Sequence, residues 1–444
     1  ATVVKTLTIR LILAIATARD YNLSSIDIRQ AYLQAFLGVD IFMRIPPGLH
    51  TPSDSVCKLK RSLYGLKQAG RDWATLFASF LTTWGMRRSH IDVCLYTYEQ
   101  GGSVLWILIY VDDALIADND PKLREKFVRD LSSRFPTEDK GALTWILNVA
   151  VRRERKSRCL HLSQELYVDD LLMKYGEFQH EEVTKRFDSP LEEGVDLSPD
   201  HSPPVGSLMH TNLTAQRKVY MSVVGGLLWL ANMTRPDIAY AASQLSRVLT
   251  NPGPIHIRAV SRVLIYLRHT KKRTLTFNST EGMYFKAYVD SNWSAKFSCS
   301  GAMMFVHGCL FHWFSKMQRS VTLSSAEAEF FGAMLTAREI MFVRELLIDL
   351  GIKLKGPTPL YCDSKSAVEM SIDPISFKKT KHILRAAEFL KDLVLRLIVE
   401  MQHLPGRLMI ADILTKACAR VTFIQLMHLL DDKSLHMHDD EDVN

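Results

Sequence analysis

The tetrapeptide YVDD occurs twice in this chain, at 110–113 and at 167–170. Two adjacent carboxylates held at one point suit a site for divalent cations, because hard cations prefer carboxylate oxygens. The flanking residues separate the two copies. Val104 to Val111 is almost unbroken apolar sequence, rich in aromatic and β-branched residues, and Ala114 to Ala117 is apolar again. Short apolar runs broken by a polar pair read as a buried hairpin with the acids at its tip. Side chains alternate faces along a strand, so Asp112 and Asp113 converge only if the turn breaks that alternation. Around the second copy, Leu166, Val168, Leu171, Leu172 and Tyr175 recur at helical spacing behind Ser163, an N-cap residue type. Asp169 and Asp170 then fall near the positive end of a helix, where acids are favoured without any catalytic role. The hairpin copy is the candidate site; the helical copy reads as a solvated face.

Phosphoryl-transfer chemistry on paired cations, held about 3.5–4 Å apart, needs at least one further acid beside such a pair. The stretch SSIDIRQAYL offers Asp27 at the end of a short apolar strand, before residues that turn helical. Alone, an Asp after a strand is weak support.

The elements that would position these acids need a sizeable chain. At 444 residues there is room for two or three domains with proper cores. An apolar fraction of 47% with 23% charged residues is ordinary for a globular protein. The net charge of +7 favours a polyanionic partner without identifying one. Seven scattered cysteines with no C-x-x-C pattern speak against a disulfide framework or a zinc cluster and point to a reducing compartment. No apolar run approaches the length of a membrane span. RLILAIATA has the outline of a secretion signal, but Leu7, Leu11, Ala14, Ile15 and Ala18 share one helical face, so it reads as a core helix. The chain opens with Ala directly at that helix, which reads as a piece of something longer.

Along the chain, residues 1 to about 136 alternate helical and strand-like runs. Residues 137–187 hold a strand-like TWILNVAVRRE and the helix with the second YVDD. The stretch 188–206 is rich in Pro, Ser, Gly and acids and marks a linker. Helices with basic outer faces follow from 217 to 270. From 283 onward, strands (MYFKAYVD, GAMMFVHGCLFHWFS, TPLYCD) interleave with a long helix from SSAEAEFF to LLIDLG, closed by Gly351.

Taken together, SIDIRQAYLQ, IFMRIPPG, KLKRSLYGLKQAGRDW and LIYVDDALIAD resemble the reverse transcriptase of copia-type LTR retrotransposons. TRPDIAYAASQLSR, TLSSAEAEF, YCDSKSAV and ADILTK resemble the region of the same polyprotein that leads into its RNase H domain. The blocks run from about residue 3 to 418 in the family's order. The resemblance implies an α+β palm-type polymerase domain, then a helical connection, then an α/β RNase H-like domain with a mixed sheet and helices. Its boundaries would be 1–136 for the palm with the fingers largely missing, 137–187 for the palm end or a thumb-like piece, and 188–216 for a linker. The helical connection would then occupy 217–280, the RNase H-like domain 281–418, and a disordered tail 419–444.

Carried over residue by residue, the resemblance implies metal ligation by Asp27, Asp112 and Asp113. Tyr32 would lie beside the incoming sugar and exclude a ribose 2′-hydroxyl; read without the family, it is an ordinary core aromatic. Gly65, Lys67 and Gln68 would border the nucleotide and template. A second metal site would use Asp290, Glu329, Asp363 and Asp412, with Asp412 opening a helix over ADILTKA. Glu327 and Glu329 lie about 200° apart on a helix, so they cannot share one site, and the family pattern points to Glu329. Mg²⁺ would be the cofactor at both two-metal sites. The implied partners are an RNA template, a DNA primer, RNA–DNA hybrid and deoxynucleoside triphosphates, with no membrane. The implied location is a cytoplasmic virus-like particle, and the nucleus, without secretion; the oligomeric state stays open.

The family pattern is also broken in places. Gly70 stands where Pro is typical, Asn148 where Gly is typical, and Leu408 and Met409 where polar residues are usual. The loop SNWSAKFSCSG is short and lacks paired Arg, and the fingers segment would lie before Ala1. The alternative to an active polymerase and nuclease is therefore a truncated, catalytically silent relic that keeps the fold and nucleic-acid binding.

Overall fold

The computed structural model describes residues 3–48, 52, 55–176, 185–279, 282–294, 298–318, 322, 324–372 and 381–431, with the backbone alone for 381–387. The chain divides into two compact units, residues 1–144 with 345–352, and residues 145–344 with 353–444.

The first unit begins with α1 (Thr6–Ala18), which is buried on every side from Leu7 to Thr17. The helical face of Leu7, Leu11, Ala14, Ile15 and Ala18 predicts a single buried stripe; nearly every position is apolar or small, so no face is left that water would hold. There follow β1 (Asn22–Ile28), α2 (Ala31–Gln34), a ribbon of β2 (Phe36–Arg44) and β3 (Val56–Arg61), α3 (Ala69–Thr83), β4 (Arg87–Arg88) and β5 (Leu95–Gln100). Then come β6 (Ser103–Tyr110), β7 (Asp113–Asp118), α4 (Pro121–Arg134) and β8 (Thr137–Ala142). Six strands form one antiparallel sheet in the order β4-β5-β6-β7-β1-β8. The strand that comes first in the chain thus lies inside the sheet, flanked by two that come much later. Helices α3 and α4 supply Trp73, Phe77, Phe127 and Leu131 to a core with Ile26, Ile107, Ile116 and Phe135. Trp73 stacks on Phe77 with ring centroids 5.0 Å apart and meets Phe135 edge-on at 5.4 Å. Asp120 caps α4 by accepting from the Lys122 and Leu123 amides, with Pro121 in the first turn.

The second unit contains β9 (Trp145–Ile146), β10 (Val149–Glu154), β11 (Cys159–Ser163), α5 (Glu165–Lys174), α6 (Leu208–Asn212), α7 (Thr214–Met233), α8 (Ala239–Ser246) and α9 (Pro254–Thr270). It continues through β12 (Leu275–Asn278), β13 (Phe285–Asn292), β14 (Cys299–Val306), β15 (Cys309–Met317) and α10 (Ser325–Asp349), whose residues from Glu345 onward are counted with the first unit. It ends with β16 (Thr358–Cys362), α11 (Lys365–Ile372), α12 (Lys381–Leu395), β17 (Val399–His403) and α13 (Arg420–Asp431). A four-stranded sheet runs β12-β11-β10-β9, and a five-stranded sheet runs β15-β14-β13-β16-β17. In the latter, β15, β14 and β13 are antiparallel neighbours, whereas β13, β16 and β17 are parallel. This last sheet is mixed and is accompanied by helices, an α/β arrangement, whereas the first unit is α+β with an antiparallel sheet.

The second YVDD lies in α5 as its periodicity predicts, with Asp169 paired to Lys271 at 2.8 Å. The helix starts one residue later than expected: Gln164 is the cap position, and the Ser163 hydroxyl accepts from the Glu165 amide. Two expectations need correction. Residues 420–431 are helical, not a disordered tail, because Phe423, Leu426 and Met427 form a buried stripe at helical spacing. The rest of that expected tail, beyond 431, lies outside the described residues. Asp412 sits in a 3₁₀ turn, Ile410–Leu414, not at the start of an α-helix; all five of its residues are buried, and the sequence periodicity does not separate so short an element from one α-turn. The stretch 188–206 is irregular in backbone apart from one 3₁₀ turn, yet it buries Ser189, Leu191 and Leu197.

Candidate active sites

The first constellation is set by strand register. Asp27 and Asp113 are direct partners across the antiparallel β1–β7 pair, so their side chains leave the sheet on the same face. Asp112 occupies the two-residue turn that joins β6 to β7, where Tyr110 pairs with Asp113. The turn breaks the strand alternation, as the convergence of the two neighbouring acids requires. Its first residue, Val111, has φ of 61°, an unfavourable region for a β-branched side chain. Two hydrogen bonds hold that turn: Trp73 Nε1 donates to the Val111 carbonyl at 2.8 Å and the Ile28 amide to the Asp112 carbonyl at 2.8 Å. Backbone strain of this kind persists only where the surroundings over-determine it.

One cation bridges the pair. Lys140 Nζ donates to Asp27 Oδ2 at 3.1 Å and to Asp113 Oδ1 at 3.2 Å. Partial burial works to lower the Lys140 pKa, and the bonds to Asp27 and Asp113 outweigh it, so its pKa is raised. Tyr64 is the other unforeseen neighbour. Its ring lies 4.8 Å from that of Tyr32, and its phenol is pushed up by desolvation and then by the charges of Asp112, Tyr32 and Asp27. Tyr32 is half-buried at this end of the sheet, and Gly65 has φ of 98°, which a side chain would resist. Gln68 is the cap position of α3, and Lys67 is exposed on the loop before it. Tyr64 was visible in the quoted block SLYGLK. Lys140 gave no signal, because TEDKGA has the polarity of a loop.

The second constellation is more deeply buried. Asp290 lies on β13, Glu329 in the first turns of α10, Asp363 just after β16 and Asp412 in its 3₁₀ turn. Asp290, Glu329 and Asp412 are 3%, 6% and 9% exposed. Asp290, Asp363 and Asp412 can each offer an oxygen within 4.8 Å of the others, as can the ligand atoms of Glu329, Cys362 and Asp363. The Ser291 amide donates to Glu329 Oε1 at 3.0 Å, the Cys362 thiol reaches Glu329 Oε2 at 3.7 Å, and the Thr415 hydroxyl donates to Asp290. Burial, then the charges of Asp290 and Asp363, push the Glu329 carboxyl up to about 9. Burial and Asp290 push Asp412 up to about 7, although Lys416 lies 2.8 Å away. Asp363 is raised by burial and Asp290. Asp412 Oδ1 has no hydrogen-bond partner among the described residues. Crowded carboxylates that resist ionising together, with an orphaned buried oxygen among them, are a donor set suited to a hard divalent cation. Cys362, Thr415 and Lys416 lie within YCDSKSAV and ADILTK, but their residue types alone carry no signal of this role.

Two glycines permit this packing. A Cβ at Gly332 of α10 would come 2.2 Å from Ser291 Oγ, so the helix carrying Glu329 lies directly on β13. A Cβ at Gly301 would come 2.5 Å from Leu414 Cβ and 2.9 Å from Thr415 Cγ2.

The chain has counterparts among known proteins. Residues 1–185 match the family model described as reverse transcriptase (RNA-dependent DNA polymerase). The retrovirus-related Pol polyprotein from transposon RE1 of Arabidopsis thaliana is 33% identical over 427 residues, 95% of this chain and 28% of that protein. The corresponding polyprotein from transposon TNT 1-94 of Nicotiana tabacum is 33% identical over 429 residues, 95% of this chain and 32% of that protein. The chain therefore spans about a third or less of the length of these two relatives. A solved foamy viral protease-reverse transcriptase, in complex with RNA/DNA hybrid, aligns with 87% of this chain and 44% of its own at a TM-score of 0.48 and 14% identity. Residues 1–185 thus carry a reverse transcriptase domain, and the chain is similar along nearly its whole length to one region of retrotransposon Pol polyproteins.

Proposed function

We propose that this chain extends a DNA primer on an RNA template at its first site and cleaves the RNA of the resulting hybrid at its second. The observation that carries this reading is the register that sets Asp27 opposite Asp113, with Asp112 in the adjoining turn. Asp27, Asp112 and Asp113 would hold the Mg²⁺ ions of the polymerase site, and Asp290, Glu329, Asp363 and Asp412 those of the nuclease site. When bound, paired Mg²⁺ ions stabilise the charge on the attacking and leaving oxygens of an in-line displacement.

The rest is positioning by the protein's own groups. Phosphoryl transfer asks mainly for orientation and electrostatic stabilisation, so a site of carboxylates on rigid strands suffices. Trp73 and the Ile28 amide hold the Asp112 turn in one geometry. The Tyr32–Tyr64 pair forms an aromatic wall beside the acids, and it would reject an incoming nucleotide that carries a ribose 2′-hydroxyl. Gly65, Lys67 and Gln68 border the nucleotide and template. In the second site, the Ser291 amide and Thr415 hydroxyl hold Glu329 and Asp290 in place.

Primer extension on an RNA template and cleavage of a labelled hybrid test the two activities separately. Wild-type protein extends and cleaves, Asp112→Asn stops extension alone, and Asp363→Asn stops cleavage alone. A protein that binds hybrid yet does neither, indistinguishably from the two variants, would be the silent relic.

A further inference from the structure

Lys140 sits at a backbone irregularity that fixes its aim. Along the β1–β8 pair, Ile26 faces Asp139 and Ser25 faces Gly141, so Lys140 is the extra residue of a β-bulge. Both of its neighbours are anchored. Asp139 is gripped by the Arg124 guanidinium, with Nη1 at 2.8 Å from Oδ2, and its Oδ1 accepts the Gly141 amide at 3.0 Å. Gly141 has φ of 69°. Bulges commonly re-aim one side chain next to a functional site. Here the re-aimed chain ends between Asp27 and Asp113, 3.1 and 3.2 Å from their carboxylates.

We infer that Lys140 is a positioning residue that competes with divalent metal for Asp27 and Asp113, and so raises the metal concentration at which this site fills. The inference rests on the polymerase reading for its meaning. A divalent cation bound by these two acids needs their oxygens about 2.0–2.1 Å from it, in the space between them. The ammonium already donates to both carboxylates in that space, so ammonium and metal exclude one another. Even swung aside, a tethered positive charge within a Debye length of about 8 Å opposes a second cation. Removing Lys140 therefore tightens metal binding.

Mn²⁺ binding to the full chain, followed by electron paramagnetic resonance of the free ion, measures this without any catalytic readout. Asp363→Asn is included throughout, to weaken the second unit's contribution. Lys140→Met is expected to bind Mn²⁺ roughly three- to tenfold more tightly, since two half-exposed ion pairs are worth only modest energies. Lys140→Arg should match Lys140 to within about twofold, and the advantage of Lys140→Met should shrink when Asp27→Asn is added, because only the pair with Asp113 then remains. Equal or weaker Mn²⁺ binding by Lys140→Met overturns the inference, as does an undiminished advantage in the Asp27→Asn background. Failure of the polymerase reading shows elsewhere, as absent primer extension by a chain whose Mn²⁺ binding still responds to residue 140.

Discussion

Gly301 lies directly opposite Asp290 in the antiparallel β13–β14 pair, and its lack of a side chain lets Leu414 and Thr415 descend onto that part of the sheet. Thr415 can then donate its hydroxyl to Asp290, and Asp412, three residues earlier, joins the acids. Gly301→Ala would place a carbon 3.2 Å from the Leu414 carbonyl carbon, a backbone atom that cannot simply rotate away. Overpacking of this kind costs about 1–3 kcal/mol. Urea denaturation should show that loss, and hybrid cleavage should fall while primer extension persists.

The two YVDD copies predict opposite results from the same substitution. Asp112→Asn removes a charge from the constellation with Asp27 and should lower primer extension by about 10²–10³-fold, the scale of losing a few kcal/mol of charge stabilisation. Asp169→Asn removes only the pair with Lys271, whose side chains are 44% and 34% exposed. Such pairs contribute about 0–1 kcal/mol, so single-turnover extension rates should match wild type.

Trp73 is expected to matter through the turn it holds. Trp73→Phe keeps the stack on Phe77 but removes the donor to the Val111 carbonyl. A lost hydrogen bond costs about 0.5–1.5 kcal/mol, so the midpoint of thermal unfolding should drop by a few degrees. Extension should fall further than stability, because the left-handed Val111 is released beside Asp112. Equal extension rates in both proteins would show that the turn needs no such tether.

In the second unit, Arg235 and Asp237 form a buried ion pair, 2.7 Å apart and 1% and 0% exposed at their side chains. Tyr266 donates to Asp237 at 2.7 Å, and Arg235 also donates to the Thr270 hydroxyl at 2.7 Å. Asp237→Ala strands a buried guanidinium and should destabilise the protein by about 3–5 kcal/mol by chemical denaturation. Burial raises the Asp237 pKa, but Arg235 overrides it and holds the carboxyl down at about 2. The folded chain then binds fewer protons here than the unfolded chain. The stabilisation is therefore present above the usual carboxylate pKa and is lost as pH falls toward about 2. Stability measured from pH 5 downward should decline less steeply in Asp237→Ala than in wild type.

Much of this was readable from residue order. Apolar runs around Asp112 and helical periodicity around Asp169 separate two identical tetrapeptides, because each pattern reports a local backbone period and the face it buries. The long helix closed by Gly351, the strand carrying Asp290 and the strand before Asp363 are local in the same sense, and family motifs supplied the acids. Register and long-range approach are different in kind. That Asp27 faces Asp113, that a bulge turns Lys140 onto both, and that Gly301 admits Thr415 to Asp290 depend on segments distant in the chain. Strand pairing and close packing are chosen by the whole core at once, and a one-residue slip would turn every one of these side chains to the other face.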